Sequence, residues 1–326
     1  MRAVVPASGQ LILREVPDPP VGDGDVFIKV RASGINRADL LQAEGKYPPP
    51  PGASDIIGLE VSGVVAAVGA DVTNFHVGQE VCALLAGGGY AEFAAVPAKQ
   101  VMPIPSGISV EDAAALPEVA CTVWSNLVMN ARLTSGEFVL LHGGASGIGT
   151  HATQVARSLG ARVAVTAGSP AKLELCAGLG AEVLIDYSSE DFVEKVREAT
   201  EGLGANLILD LMGASYLQRN LDALAVDGRL VIIGMQGGVK AELNIGLLLA
   251  KRLTMHGTAL RNRPTDGPHG KGAIVAAVVE SVWPMIAAGQ VRPVIGARYP
   301  IDQAGEAHRA LAAGETYGKI LLDVSP

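Results

Sequence analysis

The stretch Phe138-Val-Leu-Leu-His-Gly-Gly-Ala-Ser-Gly-Ile-Gly149 sets the fold class. Its first four residues read as a buried strand, small residues follow where the chain must swing tightly, and a long helix with apolar residues at helical spacing comes next. Outward from there, Arg162-Val-Ala-Val-Thr-Ala-Gly168 is a second strand, a second helix follows, and a third strand ends at Tyr187. This order is one nucleotide-binding half of a doubly wound parallel sheet. Gly144, Gly147 and Gly149 fit only a loose version of the G-x-G-x-x-G spacing, so the weight comes from their place between a strand and a helix. Small side chains there let a pyrophosphate approach backbone N–H groups at the helix start, where the dipole favours negative charge. A glycine-rich loop used only for close packing is the alternative.

The end of the second strand selects the dinucleotide. An NAD site places Asp or Glu there to accept from the ribose hydroxyls. No carboxylate occurs from Val163 to Lys172; Gly168 is followed by Ser169 and Pro170, an N-cap and first-turn pair, with Lys172 in that turn. Free N–H groups, a hydroxyl and an ammonium suit a 2′-phosphate, which points to NADPH. The plainer reading of Lys172 is a solvated helix charge.

The chain's 326 residues exceed what one core usually encloses and imply two domains. Nearly half the residues are apolar, glycine is abundant and aromatics are scarce, as expected for Val/Ala/Ile strands packed closely on helices. A formal charge of −8 argues against nucleic acid or an anionic membrane as a partner. There is no run of 18 apolar residues, and Met1-Arg-Ala-Val-Val-Pro6 lacks the apolar core of a signal peptide. Cys82, Cys121 and Cys176 are odd in number and far apart, which suits a reducing, cytoplasmic setting better than a disulfide framework.

Past the third strand, Ala205 to Leu211 and Gly228 to Gly234 read as two more buried strands flanking a helix from Ser215 to Leu224, and Leu253 to Leu260 as a sixth. Helices at Glu190 to Thr200 and near Leu247 complete an alternating series. From Arg2 to Pro105, short β-branched runs alternate with turn signals, the texture of a mostly β domain. The tail reads as a helix (Ile274 to Ala288), a strand near Val294, a helix (Asp302 to Ala313) and a strand (Lys319 to Val324), a mixed set suited to rejoining the first domain.

Seven segments carry a resemblance along the whole chain: Gly34-Ile-Asn-Arg-Ala-Asp-Leu40, Tyr47-Pro-Pro-Pro-Pro-Gly-Ala53, Ile57-Gly-Leu-Glu-Val-Ser-Gly63, Gly87-Gly-Gly-Tyr-Ala91, Ala114-Ala-Leu-Pro-Glu118, Ser146-Gly-Ile-Gly149 and Gly318-Lys-Ile-Leu321. With them the sequence resembles the medium-chain dehydrogenase/reductase superfamily, in its zinc-free quinone oxidoreductase branch, and is similar to the tumour-suppressor-inducible quinone oxidoreductase group. The resemblance implies an α/β protein with a GroES-like, mostly β catalytic domain (residues 1–120, rejoined by 262–326) and a Rossmann doubly wound parallel sheet (121–261), with the active site in the cleft between them. Where zinc-dependent members carry Cys, this chain has Asn36, and where they have His before Glu it has Leu59 before Glu60. Cys121 lies near the third ligand region without its partners, and no cysteine occurs from Gly87 to Met102, where a structural zinc lobe would need four. The six histidines are dispersed, and His142, on an apolar strand, reads as a packed core residue. A metal-free site follows.

Without a metal, hydride transfer to a quinone or an activated enone needs chiefly orientation and a hydrogen bond to the oxygen gaining charge. By position, Asn36 and Tyr47 line the nicotinamide and substrate end in the related enzymes, and both serve as candidate catalytic and cofactor-contact residues. Asn36 has a second reading, capping its own turn, and Tyr47 another, packing on the prolines that follow it. The remaining contacts implied by the resemblance are Ser146, Gly147 and Ile148 at the pyrophosphate; Gly168, Lys172 and Tyr187 at the 2′-phosphate and adenosine; Thr122 at the nicotinamide ribose; and Gly234, Met235 and Leu260 at the nicotinamide half. An NADPH:quinone reductase is the leading function. An enoyl or 2-alkenal reductase would use the same fold and cofactor, and a non-catalytic NADPH-binding protein is the alternative of a different class. A homodimer formed by edge-to-edge pairing of two sixth strands, Leu253 to Leu260, completes the expectation.

Overall fold

The computed structural model describes residues 1–7 and 9–324. The chain divides into two units: Met1–Cys121 with Leu260–Gly289 and Pro293–Pro326, and Thr122–Ala259 with Gln290–Arg292. No helix among the described residues is long and apolar enough to cross a membrane.

The first unit opens with an antiparallel pair, β1 (Arg2–Ala7) and β2 (Gln10–Glu15). It continues through β3 (Asp25–Ile35), α1 (Arg37–Ala43), β4 (Glu60–Val68), β5 (Glu80–Leu84), β6 (Phe93–Pro97) and β7 (Val101–Pro103) to the start of α2 (Pro117–Val123); from Thr122 on, including the π-helical segment Trp124–Asn130 that follows α2, the chain belongs to the second unit. In β3 the even-numbered Val26, Ile28 and Val30 are buried while Lys29 is exposed, the alternation that turns one face of a sheet inward.

In the second unit β8 (Phe138–Leu141), α3 (Gly147–Ser158), β9 (Arg162–Ala167), α4 (Pro170–Gly178), β10 (Val183–Asp186), α5 (Phe192–Ala199), β11 (Ala205–Asp210), α6 (Leu217–Ala223), β12 (Leu224–Ile232), α7 (Ile245–Ala250) and β13 (Thr254–Gly257) follow one another. The six strands are all parallel in the order β10-β9-β8-β11-β12-β13, the doubly wound arrangement whose strand order reverses beside the first strand. All four residues of β8 are buried, as a central strand covered on both faces requires. Phe192 and Val196 of α5 and Leu221 of α6 close one face over Leu140, Ile185 and Ile208. Each such side chain contributes about 1.5–3 kcal/mol on leaving water. The helices begin on polar caps: Ser146 Oγ accepts from Gly149 N at 3.0 Å, and Asp191 Oδ1 from Val193 N at 2.7 Å.

The tail returns to the first unit as α8 (Lys271–Ala287), β14 (Ile295–Pro300), α9 (Ala304–Ala313) and β15 (Lys319–Asp323). β15 lies antiparallel to β3, with Ile320 opposite Ile35 and Leu321 opposite Gly34, and β14 lies parallel to β15. The larger sheet therefore runs β14-β15-β3-β4-β5-β7, with β6 also paired to β3.

Two elements differ from the sequence expectation. The sixth strand spans Thr254–Gly257 rather than Leu253 to Leu260: Leu253 N donates instead to Leu248 O at the end of α7, and pairing to β12 ends after Thr258. The expected helix Ser215 to Leu224 is a 3₁₀ turn, Gly213–Tyr216, followed by α6, with Leu224 already opening β12. Asp210 forces the tight start by accepting from the N–H groups of Met212 (2.7 Å) and Gly213 (3.0 Å).

Candidate functional site

In the sheet unit the sequence candidates other than Thr122, which lies in α2, follow the carboxyl ends of β8, β9, β10 and β12. The turn after β8 closes tightly onto α3: Ser146 N donates to Gly143 O at 2.9 Å, and a Cβ on Gly149 would strike the Gly143 carbonyl. Ser146 caps the helix, so the N–H groups of Gly147 and Ile148 head it outside its own ladder, as first-turn donors must. After β9, Ser169 caps α4 by accepting from Lys172 N at 3.4 Å, with Pro170 at the first helical position. The Tyr187 phenol lies where a side chain on Gly168 would stand, so these two residues touch, and Tyr187 is 53% exposed. Gly234 packs against Leu211 after β12 and is followed by Met235, 58% exposed. Thr122 is buried and accepts through its carbonyl from Ser125 Oγ (3.2 Å) and Asn126 Nδ2 (2.8 Å); Asn126 Oδ1 in turn accepts from Thr258 Oγ1 at 2.7 Å. Leu260 is buried and falls with the other unit.

His142 is a core residue, as its place on an apolar strand suggested. It is 2% exposed, its ring sits edge-on to Phe192 and Tyr216, and Nε2 and Nδ1 lie 2.8 Å from Asn220 Oδ1 and 3.2 Å from Thr166 Oγ1. Burial pushes its pKa down to about 4.

In the first unit the candidate Asn36 sits at the end of β3, where it caps α1 while Asp39 Oδ2 accepts from its N–H at 2.7 Å. Its amide belongs to a larger assembly. Antiparallel pairing places Ser33 opposite Val61 and Ile320 opposite Ile35, which brings Glu60 of β4 and Lys319 of β15 to the same end of β3. Asn36 Nδ2 donates to Glu60 Oε1 at 2.9 Å, and Lys319 Nζ donates to Asn36 Oδ1 and to Glu60 Oε1, each at 2.6 Å, and to Ile35 O at 2.8 Å. The partners fix the amide's orientation, since an ammonium only donates and a carboxylate only accepts. Glu60 is fully buried and Lys319 nearly so, an ion pair whose desolvation is compensated by these further hydrogen bonds. Glu60 Oε2 accepts from Glu118 N at 2.8 Å, which anchors the first turn of α2 to the cluster. The tight fit uses Gly34: a Cβ there would run into the Glu60 carboxylate and, at 2.6 Å, the Ala114 carbonyl.

Tyr47, the second catalytic candidate, is half-buried. The Arg261 guanidinium stacks 5.1 Å from its ring centroid, donates to the Tyr47 carbonyl at 3.0 Å, and also reaches Ala86 O (2.8 Å) and Gln42 Oε1 (2.6 Å). Burial raises the phenol's pKa above its usual value, with Arg261 pulling the other way. Sequence reasoning named neither Lys319, Glu118, Arg261 nor Lys271 as site residues. Lys271 is buried at the start of α8 and donates to Arg263 O at 2.6 Å; burial lowers its pKa. Nor did it single out the line Asp39, Tyr90, His308, in which the Tyr90 hydroxyl lies 3.3 Å from Asp39 Oδ2 and 3.1 Å from His308 Nε2. A usable signal existed: Glu60 and Lys319 are lone charges of opposite sign inside the apolar runs Ile57 to Val61 and Lys319 to Leu322, and such charges persist in a core only when paired. Among the described residues no three His, Cys, Asp or Glu side chains are grouped as a metal-binding set.

This two-unit construction matches two domain families, the alcohol dehydrogenase GroES-like domain over residues 22–106 and the zinc-binding dehydrogenase domain over residues 147–269. A quinone oxidoreductase of Pseudomonas aeruginosa is 34% identical over 304 residues, covering 92% of this chain and 91% of that protein. The phthioceranic/hydroxyphthioceranic acid synthase of Mycobacterium bovis is 37% identical over 181 residues, 56% of this chain; that alignment spans 8% of the synthase's length. The crystal structure of Escherichia coli quinone oxidoreductase complexed with NADPH superposes with a TM-score of 0.88 at 28% identity, covering 99% of each chain. The chain belongs to the medium-chain dehydrogenase/reductase superfamily. Within it, it falls in the quinone oxidoreductase group.

Proposed function

We propose that this protein is a cytosolic NADPH-dependent reductase of quinones that works without a metal. The observation that carries the reading is the clamped amide of Asn36: Lys319 occupies its oxygen and Glu60 takes one of its two N–H groups, so a single N–H remains to donate to an acceptor oxygen. When bound, NADPH supplies a hydride to an electron-poor acceptor. The turn capped by Ser146, with the N–H groups of Gly147 and Ile148, suits its pyrophosphate; Gly168, Lys172 and Tyr187 suit the 2′-phosphate and adenosine; Thr122, Gly234 and Met235 suit the nicotinamide half. The E. coli relative with NADPH bound supports this choice of cofactor.

The chain's own part in the chemistry is orientation and stabilisation of charge. Asn36 and the Tyr47 hydroxyl donate to the acceptor oxygen as it becomes negative, from positions held by Lys319 and Arg261 before the acceptor arrives. Reduction of an activated enone is the second reading, favoured by the similarity to Mycobacterium tuberculosis proteins named as polyketide synthases. Steady-state rates with an ortho-quinone, a para-quinone and an enone, each with NADPH and NADH, test both. Failure to oxidise NADPH with any of the three would reject them, and a rate that falls in a strong chelator would reject the metal-free site.

We also propose a homodimer joined along β13. That strand pairs only with β12 among the described residues, and beside it α7 buries none of its residues, with Ile245 and Leu249 exposed. A monomeric mass by light scattering at micromolar concentration would remove the claim.

A further inference from the structure

Reduction by a hydride leaves an acceptor one proton short. An amide such as Asn36 does not ionise near neutrality, and burial pushes the Tyr47 phenol up, so that giving its proton would leave a phenolate more costly than an ordinary one. A different group stands ready beside them. Glu118, in the first turn of α2, is tied by its N–H to Glu60 Oε2. Its own Oε2 is shielded from solvent and has no hydrogen-bond partner within the protein, while the residue as a whole keeps part of its surface open. Asn36 Nδ2 and Glu118 N bind the two oxygens of the same Glu60 carboxylate, at 2.9 and 2.8 Å, which sets the first turn of α2 next to the Asn36 amide.

From this placement we infer that Glu118 is the proton donor of the reaction, its carboxyl O–H giving the proton to the acceptor oxygen that Asn36 and Tyr47 hold. The inference rests on the reductase reading above. In the step the carboxyl O–H bond breaks and an O–H bond forms on the acceptor, which has already received two electrons and a hydrogen as a hydride. The Glu118 carboxylate then takes a proton from water, so that acceptor, NADPH and one proton become reduced acceptor and NADP⁺. The environment of the carboxyl suits the role. Burial first, then the charges of Glu60 and Asp39, raise its pKa to about 8, against the opposing pull of Lys319 and Lys271, so it holds its proton at neutral pH.

The test compares wild type with Glu118→Gln and Glu118→Asp. For a quinone acceptor, kcat of wild type should fall above about pH 8 and show a solvent deuterium effect; Glu118→Gln should lower kcat at least about tenfold at pH 7 with the NADPH dissociation constant unchanged, and remove both the fall and the deuterium effect. Glu118→Asp should recover part of the rate and a pH limb. A Gln variant with wild-type kcat and an unchanged pH profile would overturn the assignment. An infrared difference titration of wild type against Glu118→Gln provides a second readout independent of turnover: a protonated-carboxyl band lost only near pH 8 supports the assignment, and one lost in the ordinary carboxylate range overturns it. Wild type inactive toward every acceptor would instead sink the reductase reading, leaving the infrared result to stand by itself.

Discussion

In the unit built on β8 to β13 the candidate contacts are backbone N–H groups and short turns supplied after successive strands, whereas the unit carrying Asn36 gathers ionisable side chains from residues 39, 60, 118 and 319 around one buried ion pair. The first kind of site depends on chain direction and helix dipoles, so exchanging any one side chain leaves most of it standing. The second depends on mutual compensation of desolvated charges, and the loss of one member leaves another unpaired in the core. The two units should therefore respond very differently to single substitutions.

The largest effect should come from Lys319→Met. It leaves Glu60 fully buried without its cation, and unfolding in urea should show a loss of about 3–5 kcal/mol. A loss below about 1 kcal/mol would mean that Asn36 and the Glu118 N–H alone satisfy Glu60, and the contrast between the two units would weaken. On the other side of the comparison, Lys172→Ala should weaken NADPH about tenfold, or roughly 1.4 kcal/mol, with NADH binding hardly altered and the fold intact. Equal effects on both cofactors would remove Lys172 from the 2′-phosphate. A smaller change is expected for Tyr47→Phe, which deletes one neutral hydrogen bond while Arg261 keeps its stacked ring: about 0.5–1.5 kcal/mol in kcat/KM. Complete loss of turnover with cofactor binding preserved would make the phenol the obligatory proton source and displace Glu118 from that role.

The gentlest effect is on pH. In the fold Asp39 and Glu118 are raised by burial from 3.8 and 4.5 to about 7 and about 8, and Asp210 is raised as well, so the native state keeps protons that the unfolded chain has released. Their contribution to stability therefore declines as pH rises through those windows. His142, His151 and His308 are lowered by burial from 6.5 to about 4, so their contribution is lost as pH falls from 6.5 toward 4. The opposing slopes largely offset each other below about pH 6.5, and only the carboxyls titrate above it. The urea midpoint should accordingly fall between about pH 6.5 and 8; a midpoint that rises over that interval would contradict the protonated state assigned to the cluster.

The same contrast governs how far the sequence could be read. Phe138 to Leu141 matches β8 residue for residue, Ser169 caps α4 as its position before Pro170 suggested, and the parallel sheet follows from strands and helices alternating along the chain. These are local properties: apolar runs, caps and glycine turns act within a few residues of themselves. The sixth strand came out shorter than its apolar run because α7 takes the Leu253 N–H, a competition the run itself does not reveal. The family motifs contained Asn36, Glu60, Glu118 and Lys319, but not the fact that they meet. That meeting was set by strand register, β15 returning beside β3 and β4 pairing on its other side, so that residues 24 to 283 positions apart share one hydrogen-bonded cluster. Where the chain turns, caps its helices and hides its apolar residues was legible in the order of residues, because those preferences act over a few positions. Which buried charge faces which emerged only from the packed fold, because the energy of a desolvated ion depends on neighbours that the order of the residues does not name.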